Sequence, residues 1–431
     1  MNWLIAALPF VKVLGAFLLM LIGVRCKRGL AMSILFGALV MGGLFGLSPL
    51  TFVKIGLLAL TQEKFLFLLA IIAFILILSD GLEQSGQSKR LMVALSGYLH
   101  SPRLRLIFFP ALIGLLPMPG GAVFSAPMVK AVSESMEISN KERALINYWF
   151  RHVWELAWPL YPGIILTVAL ADIPLVSFII CTWPGVLMMF FLGWFFFLRP
   201  LRPATINMKE AVPSQPADWT LVLKEGLPLL IAIVGAVGLE SLLPVVVPGL
   251  SFEWGVIAAL FLAVFCIMIQ NHLGLQFMGS VLRKKSLWTM LAVIAAIFVF
   301  KDIMQAAGVV DAMAAAAGDG VALFAAAAFL PFLVGMVAGI NVAFVGATFP
   351  LLLALLSTLG LSDQVIPYLV LASVFGFTGV MISPLHICFV LTCQFFGVEA
   401  ARTWRRLVFP CLCFALFGCL LFSILLALPT G

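Results

Sequence analysis

The sequence predicts an all-α polytopic membrane protein made of two inverted-topology repeats, and three observations lead to this fold class. First, 64% of the 431 residues are hydrophobic and only 10% are charged, whereas soluble domains carry about 25% charged residues. Second, the chain contains apolar runs as long as a bilayer-spanning helix must be. Third, short motifs of the first half recur in the second half, in the same order and at a nearly constant offset.

The first half contains five predicted crossings and one re-entrant hairpin. The crossings correspond to apolar runs near residues 2–24, 29–48, 64–79, 145–170 and 173–198. The segment 104–137 has basic residues at both ends, so it is expected to enter the membrane and return on the same side. Because five is an odd number, a second copy of this unit begins on the opposite side of the membrane, which makes the repeats inverted.

A polar, proline-rich linker at 199–218 separates the first repeat, 1–198, from the second repeat, 219–431. Five motifs correspond across it, at offsets that range only from 219 to 225: residues 8–10 with 227–229, 79–86 with 301–308, 108–116 with 329–337, 122–127 with 343–350, and 158–167 with 383–392. The correspondence predicts a second hairpin near 321–356 and a second broken span near 365–392.

The charge distribution predicts the orientation. The net charge is +7, and 19 of the 25 Lys and Arg residues fall in connections that would all lie on one side of the membrane. The positive-inside rule makes that side cytoplasmic, so both termini are predicted outside the cytoplasmic (inner) membrane of a prokaryote. Topology accounts for the basic excess, so the expected partner is the lipid bilayer and no nucleic acid. The first apolar run lacks the features of a cleavable signal peptide and is expected to remain as a span.

The eight cysteines predict neither a disulfide framework nor a metal site, and no cofactor is expected. They lie mostly within apolar runs, none forms a CxxC motif, and no histidine stands at zinc-ligand spacing. Cys388, Cys393, Cys411 and Cys413 are interpreted as small packing residues.

Asp80 and Asp302 occupy corresponding positions at the ends of two predicted spans. An interfacial helix is predicted after each of them, near 84–100 and 306–318. Both carboxylates are therefore predicted to cap these helices.

Four stretches within the apolar runs are hostile to a continuous helix. They are the predicted hairpin tips 117–125 and 338–348 and the interrupted spans 158–163 and 377–386. Irregular backbone is tolerated at membrane depth only where it is buried in protein or lines a cavity, and N–H groups freed at helix starts attract anions. The four breaks predict a substrate site, with the candidate ligands Gly120, Gly121, Ser125, Arg151, Trp158, Asn341, Gly346, Thr348 and Ser383.

Ionisable residues stand beside the interruption of the first repeat. Arg151 and Glu155 are spaced i,i+4, so a helix would place them on one face, and Arg151 lies about 12 Å from Arg143 along a helix. A guanidinium suits a carboxylate, which makes Arg151 the candidate anchor of an anionic substrate. An internal Arg151–Glu155 pair is the alternative. Glu155, His152 and His386 are the candidates for a coupling ion or proton, because imidazole titrates near neutral pH.

The chain resembles the ion-transporter superfamily of secondary carriers, which includes gluconate permeases, citrate and dicarboxylate carriers, and the large membrane subunit of tripartite periplasmic transporters. The stretches LLPMPGGAVFSAPMV (115–129) and WFRHVWELAWPLYPG (149–163) carry the resemblance. Within the superfamily the chain looks like one family of prokaryotic membrane proteins. The resemblance implies an elevator-like carrier, often a homodimer, for small organic anions coupled to Na⁺ or H⁺.

One feature departs from the pattern of that superfamily. Its sodium-coupled dicarboxylate carriers have Ser-Asn-Thr motifs at both hairpin tips, whereas here the first tip offers Ser125 and the second offers Asn341 with Thr348. The substrate and the coupling ion therefore stay open.

The expected function is a secondary active transporter of a small organic anion, either a carboxylate or a sugar acid. A cation/proton antiporter is the alternative, with Glu155 and His152 as titrating groups. An intramembrane enzyme is disfavoured, because Ser125 has no assigned base and the chain contains no HExxH motif.

Overall fold

The structure, a computed structural model, describes residues 2–99, 101–116, 121–134, 136–201, 218–247, 251, 253–317 and 323–428. Within these residues every regular element is a helix, as expected for a chain that satisfies its backbone hydrogen bonds inside a bilayer. Nine helices of the described chain are long and apolar enough to cross a membrane by length and composition. The protein is an all-α, multi-pass membrane protein, which confirms this part of the predicted fold class.

The described residues of the first half form ten α-helices, which we number in chain order. They are α1 (Asn2–Arg25), α2 (Leu30–Leu44), α3 (Pro49–Ala59), α4 (Glu63–Gln84), α5 (Gln87–Ser96), α6 (Pro102–Gly114), α7 (Ala122–Val132), α8 (Asn140–Arg151), α9 (Pro162–Ala171) and α10 (Leu175–Gly193). A π-helical turn, Trp194–Leu198, extends α10.

The second half also forms ten described α-helices. They are α11 (Trp219–Val246), α12 (Glu253–Gln270), α13 (Leu275–Leu282), α14 (Lys285–Ala306), α15 (Val309–Ala317), α16 (Leu330–Ala338), α17 (Asn341–Thr358), α18 (Val365–Met381), α19 (Ile387–Phe396) and α20 (Ala400–Ala427). A π-helical turn, Ala325–Phe329, precedes α16, and a 3₁₀ turn, Ser362–Gln364, precedes α18. Most of the predicted linker, residues 202–217, lies outside the described residues.

The helix α3 was not predicted, although its start follows from local sequence. Ser48 is the N-cap, its hydroxyl accepts a hydrogen bond from the Thr51 N–H, and Pro49 stands at the first helical position. A capping serine followed by proline is a common helix start. We missed α3 because its eleven residues are too short to span a bilayer, which needs about 20.

Two polar contacts fix the relative direction of α4 and α14, which pack against each other. Gln62, the N-cap of α4, donates to Asp302 over 2.5 Å, and Lys284, the N-cap of α14, pairs with Asp80 over 2.7 Å. The start of each helix therefore lies beside the end of the other, and the two helices are antiparallel. The prediction that Asp80 and Asp302 cap the following helices was wrong, because each carboxylate instead binds the N-cap side chain of the facing helix.

Other helix contacts come in pairs. One contact of a pair becomes the other when ten is added to the number of its first-half helix and subtracted from the number of its second-half helix. The helix α2 packs on α14 and α4 on α12, α7 packs on α19 and α9 on α17, and α5 packs on α11 and α1 on α15. Within the halves, α6 packs on α8 as α16 packs on α18. The eight contacts named here thus form four exchanged pairs.

Two glycines at corresponding positions permit close approaches between helix backbones. A Cβ atom on Gly114 of α6 would overlap with the carbonyl oxygen of Arg151 in α8, and one on Gly335 of α16 would overlap with that of Gly376 in α18. Only a residue without a side chain allows two backbones to approach this closely. Gly114 and Gly335 therefore allow α6 to lie closely against α8, and α16 closely against α18.

Candidate functional site

Four helix interruptions, two in each half, meet in the protein interior. The first break separates α6 from α7, and its residues 115, 116 and 121 are described. The second break, residues 152–161, separates α8 from α9. The third break is Gly339 and Ile340, between α16 and α17, and the fourth break is residues 382–386, between α18 and α19. Hydrogen bonds of Arg151, Glu155 and His386 join all four.

Local sequence explains where the helices stop. A capping box of Ser139 and Glu142 starts α8, and Pro159 and Pro162 prevent its continuation past the second break. Gly339 ends α16 in the left-handed conformation with φ +69°, which glycine adopts at no steric cost. The third break is therefore narrower than predicted, two residues instead of the stretch 338–348.

Arg151, the last residue of α8, is buried with 2% of its surface exposed. Its guanidinium donates to the Tyr161 hydroxyl over 3.1 Å and to the Leu116 carbonyl over 3.4 Å. The Tyr161 hydroxyl in turn donates to the Gly114 carbonyl over 2.6 Å. A Cβ on Gly121 would lie only 2.8 Å from the nearest guanidinium nitrogen, so the start of α7 lies directly against Arg151.

Glu155 joins the second break to the third. Its Oε2 accepts a hydrogen bond of 2.7 Å from the Asn341 side-chain amide, and its Oε1 lies 3.7 Å from Nε2 of His152. Among the described residues Glu155 forms no ion pair with Arg151. The i,i+4 expectation failed because α8 ends at Arg151, so the backbone turns away before it reaches Glu155.

Two histidines join the second break to the fourth. Nε2 of His152 lies 2.9 Å from Nε2 of His386, and both side chains are buried. Nδ1 of His152 lies 2.6 Å from the Tyr148 carbonyl, and Nδ1 of His386 lies 2.5 Å from the Gly339 carbonyl, in the third break.

The sulfur of Cys388 and the histidine nitrogens lie within 4.8 Å of one another. This grouping was not predicted: Cys388 was interpreted as a packing residue. Two imidazole nitrogens on one tetrahedral zinc ion lie about 3.3 Å apart, given Zn–N bonds of about 2.0–2.1 Å. The separation of 2.9 Å between the Nε2 atoms of His152 and His386 therefore suits a hydrogen bond better than a shared metal ion.

Two buried polar atoms at the breaks have no hydrogen-bond partner among the described residues. They are the indole nitrogen of Trp158 and the side-chain oxygen of Asn341. Such atoms are rare in native proteins and mark sites where a water molecule or ligand completes the hydrogen bonding. One is a donor and the other an acceptor, so a hydroxyl group suits either atom.

The other predicted ligands do not all lie at the helix breaks. Ser383 lies in the fourth break, where its hydroxyl accepts from the Leu385 N–H and lies beside Gly339. The hydroxyls of Ser125 and Thr348 are bonded to carbonyls of their own helices, and Gly346 packs against Ile297 of α14. Thr348 and Gly346 therefore lie within α17 and away from the third break, and Gly120 lies outside the described residues.

Sequence reasoning also missed three residues that support the site. Tyr161 binds Arg151, Tyr148 donates from its hydroxyl to the Met381 carbonyl at the end of α18, and the Asn147 amide donates to Thr392 in α19. Polar side chains in the predicted broken span 145–170 were the available signal, because a buried polar group in a membrane protein needs a partner.

The sequence model of one protein family matches the chain over residues 13–425, and that family is described as "Protein of unknown function (DUF401)". The curated proteins contain no sequence that matches the chain.

Proposed function

The chain belongs to the DUF401 family, and we propose that it is a secondary active transporter that moves a small organic anion across a prokaryotic cytoplasmic membrane together with H⁺ or Na⁺. The observation that carries the proposal is the buried Arg151, placed where helix breaks from both halves of the chain meet. In the carriers that the chain resembles, substrates bind between repeats at interrupted helices. An elevator-like movement and a homodimer, as in those carriers, belong to the same proposal.

The paired helix contacts support an inverted repeat. Adding 222 to the number of Gln62 gives Lys284, and subtracting 222 from the number of Asp302 gives Asp80. The pair Gln62–Asp302 therefore corresponds to the second observed pair, Lys284–Asp80. A two-fold operation that makes α4 and α14 antiparallel has its axis perpendicular to them. If both helices cross the bilayer, this axis lies in the membrane plane, and the halves have opposite topology.

The charge and donors at the breaks support an anionic substrate. A carboxylate accepts two parallel hydrogen bonds from a guanidinium, and this contact is strong in a low-dielectric interior. The first N–H groups of α7 lie next to Arg151 and add donors of the same kind. The unpartnered atoms of Trp158 and Asn341 favour an acid that also carries hydroxyl groups, such as a sugar acid.

A thermal-shift screen of the purified protein tests the proposal. The probes are gluconate, glucuronate, citrate and succinate, at acidic and neutral pH, with sodium or potassium as the counter-ion. We expect at least one acid to raise the unfolding midpoint, because a ligand at about 100 times its Kd stabilises the folded state by about 2.7 kcal/mol. Glucose is the uncharged control for gluconate and should have no effect. Absence of stabilisation by all four acids would contradict the proposal.

The proposed orientation is tested by cysteine labelling. Cys26 follows α1 and Thr61 precedes α4, and both are exposed. With the amino terminus outside, we expect a membrane-impermeant maleimide to label Thr61→Cys in intact cells and Cys26 only after permeabilisation. A Cys26→Ser background makes the two sites separable, and the reverse labelling pattern would show the opposite orientation.

A cation/proton antiporter is the second candidate, and one observation favours it. The Glu155 carboxylate lies close to His152 and shares a hydrogen bond with Asn341 of the other half. Movement of a proton on this carboxylate could by itself change the contact between the halves. In that case Arg151 would only contribute a balancing charge, and Arg151→Gln would leave cation/proton exchange intact.

A further inference from the structure

The contacts of the two Nδ1 atoms determine the tautomers of His152 and His386. A carbonyl oxygen can only accept a hydrogen bond, so each Nδ1 that contacts a carbonyl must carry a hydrogen atom. The acceptors are the Tyr148 carbonyl for His152 and the Gly339 carbonyl for His386. A neutral imidazole has only one N–H group. Each Nε2 would therefore present a lone pair if its ring were neutral.

The two Nε2 atoms nevertheless lie 2.9 Å apart in a buried environment. Two lone pairs at this distance repel each other, and a water molecule does not fit between atoms that are only 2.9 Å apart. One added proton removes the repulsion, because one ring becomes an imidazolium that donates from Nε2 to the other ring. The distance lies within the range of about 2.7–3.2 Å for hydrogen bonds donated by N–H groups.

The groups around the pair accommodate the positive charge that this proton brings. Glu155 lies 3.7 Å from His152 and is the carboxylate closest to it among the described ion pairs. Tyr148 of α8 packs its ring against both imidazoles, at centroid distances of 4.8 and 5.6 Å, and the Cys388 thiol of α19 adjoins both. Arg151 directly precedes His152 in the chain, and its guanidinium donates hydrogen bonds to Tyr161 and Leu116.

We propose that the coupling ion is a proton and that Nε2 of His152 and Nε2 of His386 share it. This inference rests on the proposed function and names its coupling ion. His152 belongs to the second break and His386 to the fourth, so the shared proton joins the two halves of the chain. The histidine pair takes up one proton from the water on one side and releases one proton on the other side, with no other bond formed or broken.

Loss of the shared proton would act on the anion site through two short connections. The two deprotonated Nε2 atoms repel each other, which separates the second break from the fourth. Glu155, next to His152, also holds Asn341 at the start of α17, and Arg151 precedes His152 directly in the chain. Protonation of the pair is therefore expected to accompany binding of the anion, which makes the carrier a symporter.

Nuclear magnetic resonance of ¹⁵N-histidine-labelled full-length protein tests the shared proton without any substrate. We expect one strongly downfield proton resonance and a scalar coupling between two Nε2 nuclei across the hydrogen bond. Both should disappear in His386→Gln and His152→Gln, and both should persist in His272→Gln, which replaces an exposed histidine. The wild-type spectrum decides the question even if a histidine variant fails to fold.

A second measurement tests the role of this proton in coupling. The apparent affinities for gluconate, glucuronate, citrate and succinate are measured by thermal shift across a pH series. If one proton binds with the anion, affinity falls about tenfold for each pH unit above the titration of the pair. We expect this dependence in the wild type and in His272→Gln, and its loss in His386→Gln.

Several results would overturn the inference. Two uncoupled Nε2 resonances in the wild type would exclude the shared proton, and a stoichiometric zinc or copper ion that shifts both Nε2 resonances would replace it with a metal site. Acid binding that requires Na⁺ and is independent of pH would exclude the coupling role. If none of the four acids binds, the proposed function fails, while the spectrum still decides whether the histidine pair holds a proton.

Discussion

Replacing Arg151 with glutamine is expected to weaken binding of the stabilising acid by about 100-fold. Two charge-assisted hydrogen bonds to a carboxylate contribute about 3 kcal/mol together, and glutamine cannot form them with the same charge or geometry. Arg151→Lys keeps the charge but loses the planar fork, so it should lie between glutamine and the wild type. The measurement is the ligand-dependent thermal shift, with far-UV circular dichroism to confirm that the variants are folded.

Arg143→Gln is the matched control for this prediction. Arg143 lies near the start of the same helix, where it bonds to Ser133 and Asn140, so its replacement should leave acid binding unchanged. A folded Arg151→Gln protein that binds the acid as well as the wild type would refute the anchoring role. If proteoliposomes with Arg151→Gln also exchange a cation for protons, the antiporter is the better assignment.

Replacing Gly114 or Gly335 with alanine is expected to have the largest effect on stability. Each added methyl group overlaps with a backbone carbonyl oxygen of the neighbouring helix, that of Arg151 in α8 or that of Gly376 in α18. A backbone atom cannot rotate away as a side chain can, so the helices have to separate. Overpacking of this kind costs about 3 kcal/mol, and we expect a fall of about 5 °C or more in the unfolding midpoint.

Gly279→Ala controls for the general effect of alanine in a helix. Gly279 lies inside α13, and an added Cβ would meet no atom within 4 Å. Since alanine is a better helix former than glycine by about 1 kcal/mol, this variant should be as stable as the wild type or slightly more stable. Equal midpoints for Gly114→Ala, Gly335→Ala and Gly279→Ala would contradict the close approach. A large effect at only one of the first two would weaken the repeat proposal.

Much of the helical framework could be predicted because local composition controls it. Apolar runs predict spans, and prolines and glycines predict where those spans are interrupted. The stretch predicted as a hairpin, 104–137, overlaps α6 and α7, and the stretch predicted as a broken span, 145–170, overlaps α8 and α9. The exact end of each break was less predictable. The third break is confined to two residues because Gly339 can adopt a positive φ and Asn341 already starts a helix.

The partners of the polar residues could not be predicted in the same way. The spacing of Arg151 and Glu155 suggested a pair, but the turn after α8 gives Arg151 to Tyr161 and Glu155 to Asn341. Thr348 was grouped with the second tip by sequence proximity, yet one helical turn satisfies its hydroxyl on the Phe344 carbonyl. In both cases the position of a helix end outweighed the local spacing rule: α8 ends at Arg151, and α17 already starts at Asn341.

The sequence by itself determined that this is a multi-pass helical membrane protein with interrupted spans, because hydrophobicity and helix breaking are properties of short segments. The tertiary structure decided which interruptions touch and which side chains meet there. His152 and His386 are 234 residues apart, and Cys388 joins them only because α19 packs against α8. No local pattern specifies such contacts, since they depend on how two distant parts of the chain pack around a buried polar centre.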